Sequence, residues 1–137
     1  MLRTVVKSKI HRARITRKDI DYMGSCTIDR ALLEAADILP WERIQVLNLE
    51  NAERFETYVM EGTPGSGDVC LNGPAARLGE PGDRILVISY VMVDEDELRT
   101  HRTTVVHVDE QNRITDLAYS SVARGEVDEA QQPTSRA

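Results

Sequence analysis

The apolar residues of this chain come in strand-length runs cut by turn signals, and this spacing restricts the fold more than any other feature. Residues 85–93 are the most apolar run, bounded by Pro81-Gly82-Asp83 and by the acidic stretch 94–97, which can open a short helix. Residues 43–50 and 54–61 are two further strand-like runs, separated by Asn51-Ala52-Glu53 as in a hairpin. Residues 62–67, with Pro64, break the second run, 68–71 lead into the turn signal Asn72-Gly73, and 103–108 form a late strand. One helix stands out: Asp29 is a suitable N-cap, and Ala31, Leu32, Leu33, Ala35 and Ala36 form a short apolar face ending near Pro40. Many short strands and few helices favour a small β-rich barrel over a helical or parallel α/β fold. No apolar run approaches the roughly 20 residues of a membrane helix.

At 137 residues the chain has the size of one domain. Residues 118–137 mix Ser, Gly, Gln, Pro and charge, so the expected domain is 1–117 and most of 118–137 is expected to be a disordered tail. Aromatic residues make up only 4%, which implies a modest core and favours association with further copies of the chain. Met1-Leu2-Arg3-Thr4 shows no secretory signal, and Cys26 and Cys70 lie far apart without metal-ligand spacing. A cytoplasmic protein with free thiols, no zinc and no membrane contact is expected.

The net charge of -6 argues against a general nucleic-acid binder, yet it conceals an asymmetry. Arg3, Lys7, Lys9, Arg12, Arg14, Arg17 and Lys18 all precede the first acidic residue, Asp19. They form either the solvated edge of a strand over 4–16 or a positive field that receives an anionic small molecule.

Gly24-Ser25 is ordinarily a turn. Gly24 admits backbone conformations closed to other residues, however, and a serine hydroxyl after it can approach the preceding carbonyl if the turn is held in strain. No G-x-S-x-G elbow, recognisable His-Asp pair, G-x-G-x-x-G or Walker lysine motif occurs, so an ordinary serine hydrolase or nucleotide-binding fold is not indicated.

Five segments in order carry a family resemblance: Leu2-Arg3-Thr4, Lys7-Ser8-Lys9-Ile10-His11-Arg12, Asp21-Tyr22-Met23-Gly24-Ser25-Cys26-Thr27-Ile28-Asp29, Asn51-Ala52-Glu53-Arg54-Phe55-Glu56-Thr57-Tyr58 and Asn72-Gly73-Pro74-Ala75-Ala76. Pro81-Gly82-Asp83 lies beyond them. With these the chain resembles the aspartate 1-decarboxylases of pantothenate biosynthesis over residues 1–117. The resemblance implies a mainly β fold, a small six-stranded double-psi β-barrel with one or more short helices, assembled as a homotetramer. It implies conversion of L-aspartate to β-alanine and carbon dioxide. By the same likeness the chain is a precursor that cuts itself between Gly24 and Ser25 into a short chain, 1–24, and a long chain, 25–137. Ser25 would become a covalent pyruvoyl group, which takes the substrate amine as a Schiff base and acts as the electron sink, with no metal and no pyridoxal phosphate. A maturation factor is left open as a partner.

The resemblance also assigns roles. Tyr58 matches the proton donor to the α-carbon, and Arg54 and Lys9 match cations for a substrate with two carboxylates; the planar fork of Arg54 suits bidentate contact. Thr57, Gly73, Pro74 and Ala75 match substrate-binding positions, Thr57 also being placed to polarise the Gly24 carbonyl. Asn72, His11 and Tyr22 match supporting positions. Pro74 has no N–H to donate, so contacts from that turn fall to Gly73, Ala75 or side chains. Two alternatives remain open at this point: a pyruvoyl decarboxylase of another amino acid, and an uncleaved β-barrel module binding nucleic acid or protein.

Overall fold

Alternation along the strands sorts the chain into a buried and an outward face, and the computed structural model, which describes residues 1–121, shows how those faces are assembled. The strands are β1 (Arg3–Arg14), β2 (Arg17–Asp19), β3 (Ser25–Asp29), β4 (Arg43–Asn48), β5 (Arg54–Gly62), β6 (Val69–Asn72), β7 (Arg84–Val93), β8 (Arg102–Val108) and β9 (Ile114–Ser121). Two short helices, α1 (Arg30–Ala35) and α2 (Glu95–Thr100), and a 3-10 helix at Gly73–Arg77 complete the described residues. The fold is mainly β with short helices, as expected. Among the described residues nine strands form one ladder in the order β2-β6-β3-β5-β4-β7-β1-β8-β9, more strands than the six implied for a barrel core, and backbone pairing among them does not join the two ends.

A single register row explains the core. Ile10 of β1 pairs with Val87 of β7, Val87 with Val46 of β4, and Val46 with Phe55 of β5. The first three are fully buried and Phe55 packs against their cluster. Burying each such side chain contributes about 1.5–3 kcal/mol. The expected hairpin is present: β4 and β5 are antiparallel, with Leu47 level with Arg54 and Ala52 taking a positive φ of 63° in the connection.

Asp29 does more than cap α1. The residue is 3% exposed, and its carboxylate accepts from the amides of Ala31, Gly65 and Gly67, tying the loop after β5 to the start of the helix. Ala36 is the C-cap of α1, after which Asp37 adopts a φ of 55° and Ile38 donates back to the Leu33 carbonyl. The acidic run opens α2 through a capping box between Asp94 and Glu97.

The structure alters or refines three expectations. β1 is an inner strand between β7 and β8, not an edge, and the basic segment is largely neutralised: Arg3, Lys7, Arg14, Arg17 and Lys18 pair with Glu95, Glu42, Glu110, Asp68 and Glu80. The turn signal Asn72-Gly73 ends β6, and Gly73, at φ 61°, sends the chain into the 3-10 helix, whose N-terminal positions tolerate Pro74 because no intrahelical partner is lost there. β9 carries strand structure through 118–121, because it pairs along β8 from Ile114 to Ser121; the remainder of the expected tail, 122–137, lies outside the described residues. Among the described residues no helix is long and apolar enough to cross a membrane.

Candidate active site

β3 begins at Ser25, which lies between strands on either side and directly after the turn that carries Met23 and Gly24. On one side β6 runs antiparallel, with Asn72 level with Ser25. On the other, β5 runs parallel with Val59 level with Cys26, so Tyr58 and Ser25, each one residue earlier, lie side by side. Ser25 is 1% exposed. Its hydroxyl faces the Met23 carbonyl at 3.4 Å and accepts from Asn72 Nδ2 at 3.0 Å.

Asn72 is itself held. Its Nδ2 also donates to Thr27 Oγ1 at 2.9 Å, and its Oδ1 accepts from the Cys70 thiol at 3.1 Å. Thr27 and Cys70 are level with each other across β3 and β6, two residues along from Ser25 and Asn72, hence on the same face. Sequence reasoning missed both as contributors to the site; the two-residue spacing was the available signal. Burial pushes the thiols of Cys70 and Cys26 up, that of Cys26 to about 12, so both stay protonated at neutral pH. Neither is in a disulfide.

Gly73 lies close against the backbone of Gly24, the residue before Ser25. A Cβ at position 73 would lie 2.8 Å from Gly24 Cα, 2.9 Å from Gly24 N and 3.0 Å from the Tyr22 carbonyl oxygen. Only glycine permits this approach, and Pro74 backs it: a Cβ on Gly24 would meet Pro74 Cδ at 3.5 Å. Tyr22, Gly24, Ser25, Asn72, Gly73 and Pro74 therefore form one cluster, with Ala75 buried behind it. The Tyr22 ring is exposed.

Along β5, Arg54 and Tyr58 share one face, while Thr57, level with buried Ile44 of β4, alternates to the other. Among the described residues the hydroxyls of Thr57 and Tyr58 have no hydrogen-bond partner, and Arg54 makes only a 3.5 Å contact to Gln45. The Tyr58 ring stacks on Trp41, centroids 5.2 Å apart and planes 14° from parallel.

Lys9 and His11 are placed differently. They belong to β1, four strands from β3 along the ladder, so backbone pairing does not bring them next to Ser25 within one chain. His11 is level with Leu86, Leu86 with Leu47, and Leu47 with Arg54, a continuous outward row. Lys9 and Arg12 have no carboxylate partner among the described residues, unlike the five paired cations around them. His11 meets His107 edge to face at 5.2 Å. Burial first, then His107, Arg12 and Lys9, hold its pKa down to about 4, so it is neutral at pH 7 and offers no positive charge to an anion. Among the described residues no group of three or more His, Cys, Asp or Glu could hold a metal ion.

The arrangement can do one thing that a plain turn does not require: it buries a serine hydroxyl beside its own backbone, between a fixed amide donor and an apposed glycine. Comparison with known proteins shows which family the chain belongs to. A sequence model of the family described as aspartate decarboxylase matches residues 1–115. The chain is 56% identical over 117 residues to an aspartate 1-decarboxylase of Pelotomaculum thermopropionicum, covering 85% of this chain and 89% of that protein. It is 51% identical over 127 residues to that of Acetivibrio thermocellus, covering 93% and 100%, and 48% identical over 130 residues to that of Salinibacter ruber, covering 95% and 88%. With a family match over nearly all the described residues and likeness of this degree over 88–100% of these relatives' length, the chain belongs to the aspartate decarboxylase family.

Proposed function

We propose that this chain activates itself by cleavage at Gly24-Ser25 and then decarboxylates L-aspartate to β-alanine and carbon dioxide. The observation that carries the reading is the buried Ser25 hydroxyl, held by Asn72 where Gly73 approaches Gly24 too closely for a side chain. In the proposed cleavage, Ser25 Oγ attacks the Gly24 carbonyl carbon and the amide becomes an ester. Loss of the Ser25 α-proton expels the Gly24 carboxylate, which ends fragment 1–24, and leaves dehydroalanine at position 25. Water then replaces ammonia there, giving the pyruvoyl group. Once formed, that group supplies the electron-withdrawing carbonyl that accepts the electrons of the breaking carbon–carbon bond.

The residues present suit such a group. Asn72 Nδ2, which now donates to the Ser25 hydroxyl, is a donor that a ketone oxygen can accept. Arg54, without a carboxylate partner, binds a substrate carboxylate through its planar fork, and Lys9 supplies the second cation. Tyr58, alongside position 25, returns a proton to the α-carbon after carbon dioxide leaves. Thr57 polarises the Gly24 carbonyl and contacts substrate. The Gly73 and Ala75 amides orient the bound carboxylate, Pro74 fixing the turn without donating. His11 and Tyr22 line the site, His11 as a neutral group.

The separation of Lys9 and His11 from Ser25 within one chain supports a site completed by neighbouring copies, the homotetramer being the assembly that the family resemblance implies. Exposed Tyr22, Met23, Trp41 and Met92 give such contacts apolar surface. Buried free thiols suit a reducing, cytoplasmic setting. The test is β-alanine formation from L-aspartate by purified protein, with L-glutamate as competing substrate and Ser25→Ala as control. Release of β-alanine by the wild type and none by the variant is expected. Substantial β-alanine from Ser25→Ala would overturn the mechanism, and preference for L-glutamate would overturn the substrate.

A further inference from the structure

Trp41 occupies a costly position that burial does not explain. Its φ is 73°, in the left-handed region that bulky residues avoid, and 63% of the residue is exposed. The conformation is held from several sides. Trp41 N donates to the Val59 carbonyl at 2.8 Å, and Val59 N donates to the Glu42 carbonyl at 3.1 Å, so residues 41–42 continue the β5 pairing beside Tyr58. Glu42 fastens the turn as well: its carboxylate accepts from Lys7 Nζ at 2.6 Å and from the Leu39 amide at 3.1 Å. What the strained backbone achieves is the stack of the indole on the Tyr58 ring, 5.2 Å between centroids and 14° between planes.

We infer that Trp41 is a positioning residue for Tyr58, limiting the ring's rotation so that its unpartnered hydroxyl is presented beside position 25. This deepens the proposed function and rests on the reading of Tyr58 as the proton donor. An offset aromatic stack confines the phenol more than a solvated ring would be confined, and removing it spreads the hydroxyl over positions that do not reach the α-carbon. Trp41 neither touches substrate nor acts on the Gly24-Ser25 bond in this assignment. Self-cleavage is therefore independent of it.

The experiment is a cycle of four full-length, self-cleaved proteins: wild type, Trp41→Asn, Tyr58→Phe and the double variant, assayed for β-alanine release. Asparagine accepts a positive φ, so Trp41→Asn keeps the backbone and removes the ring. It should lower kcat roughly three- to tenfold with little change in KM, Trp41→Phe should restore most of the loss, and the double variant should be no slower than Tyr58→Phe. Full activity of Trp41→Asn, or the same fall in both Tyr58 backgrounds, overturns the inference while leaving Tyr58 in its role. Full activity of Tyr58→Phe overturns the underlying reading and the inference with it. A second measurement needs no substitution, because Trp41 is the chain's one tryptophan. Its emission should respond to succinate, an unreactive dicarboxylate, over the concentrations at which succinate inhibits decarboxylation; an unchanged emission at inhibiting concentrations overturns the placement of Trp41 at the site.

Discussion

Replacing Gly73 by alanine separates two effects that glycine ordinarily combines. The first is backbone strain: at φ 61° an L-residue costs roughly 1–2 kcal/mol, which at this chain length lowers Tm by roughly 4–8 °C. The second is contact. The new Cβ would stand 2.8 Å from Gly24 Cα, whereas ordinary contact begins at 3.4 Å, so the two backbones must part by about 0.6 Å. Misplacing reacting groups by 1 Å costs about 10²-fold, so a displacement of this size at the scissile peptide should slow self-cleavage by about tenfold or more. Gly82 supplies the control: its φ is 94°, yet a Cβ there meets nothing within 4 Å. Gly82→Ala should lose comparable stability and cleave at the wild-type rate. The assay is the time course of fragment appearance on denaturing gels beside a thermal melt of each variant. Equal cleavage rates in the two variants would refute the idea that Gly73 controls the Gly24-Ser25 bond through contact.

The same geometry has other consequences. Tyr58→Phe should permit cleavage and slow turnover by about 10²–10⁴-fold, and near-normal turnover would remove Tyr58 from proton transfer. Arg54→Ala should raise KM for L-aspartate by roughly 10–100-fold, the loss of a charge-assisted bond, and an unchanged KM would show that the fork does not hold the carboxylate. His11 gives a pH dependence. Its pKa is lowered from 6.5 to about 4 in the folded chain, so between those values the unfolded chain binds a proton that the folded chain refuses, and stability falls as pH falls through the window. Thermal melts across that window should show a shallower fall for His11→Gln; identical slopes would mean that His11 does not titrate as its burial requires.

Local chemistry made much of the fold legible. The hairpin between β4 and β5, the N-cap at Asp29 and the apolar strand β7 arise from turn residues, capping and hydrophobic runs, all of which act over a few positions. What was not legible depends on pairing between distant segments. β2 is three exposed residues, Arg17–Asp19, whose strand character comes from pairing with β6; β9 alternates weakly and is set by β8. The basic segment misled for the same reason, since its acidic partners Glu42, Asp68, Glu80, Glu95 and Glu110 are scattered along the chain. At the site, Gly24-Ser25 and Asn72-Gly73 could be singled out as unusual dipeptides, but their apposition needs the antiparallel register of β3 and β6. Trp41 carried no signal at all, because nothing local forecasts an aromatic residue at positive φ.

The proposed activity depends on self-cleavage at Gly24-Ser25, and the intact mass of the purified, incubated protein reads that step without any assay of turnover. Two species are expected, residues 1–24 with a free carboxylate and residues 25–137 lighter by one ammonia than a chain beginning with serine. A single unbroken chain of 137 residues after prolonged incubation would show that Ser25 remains an ordinary buried serine.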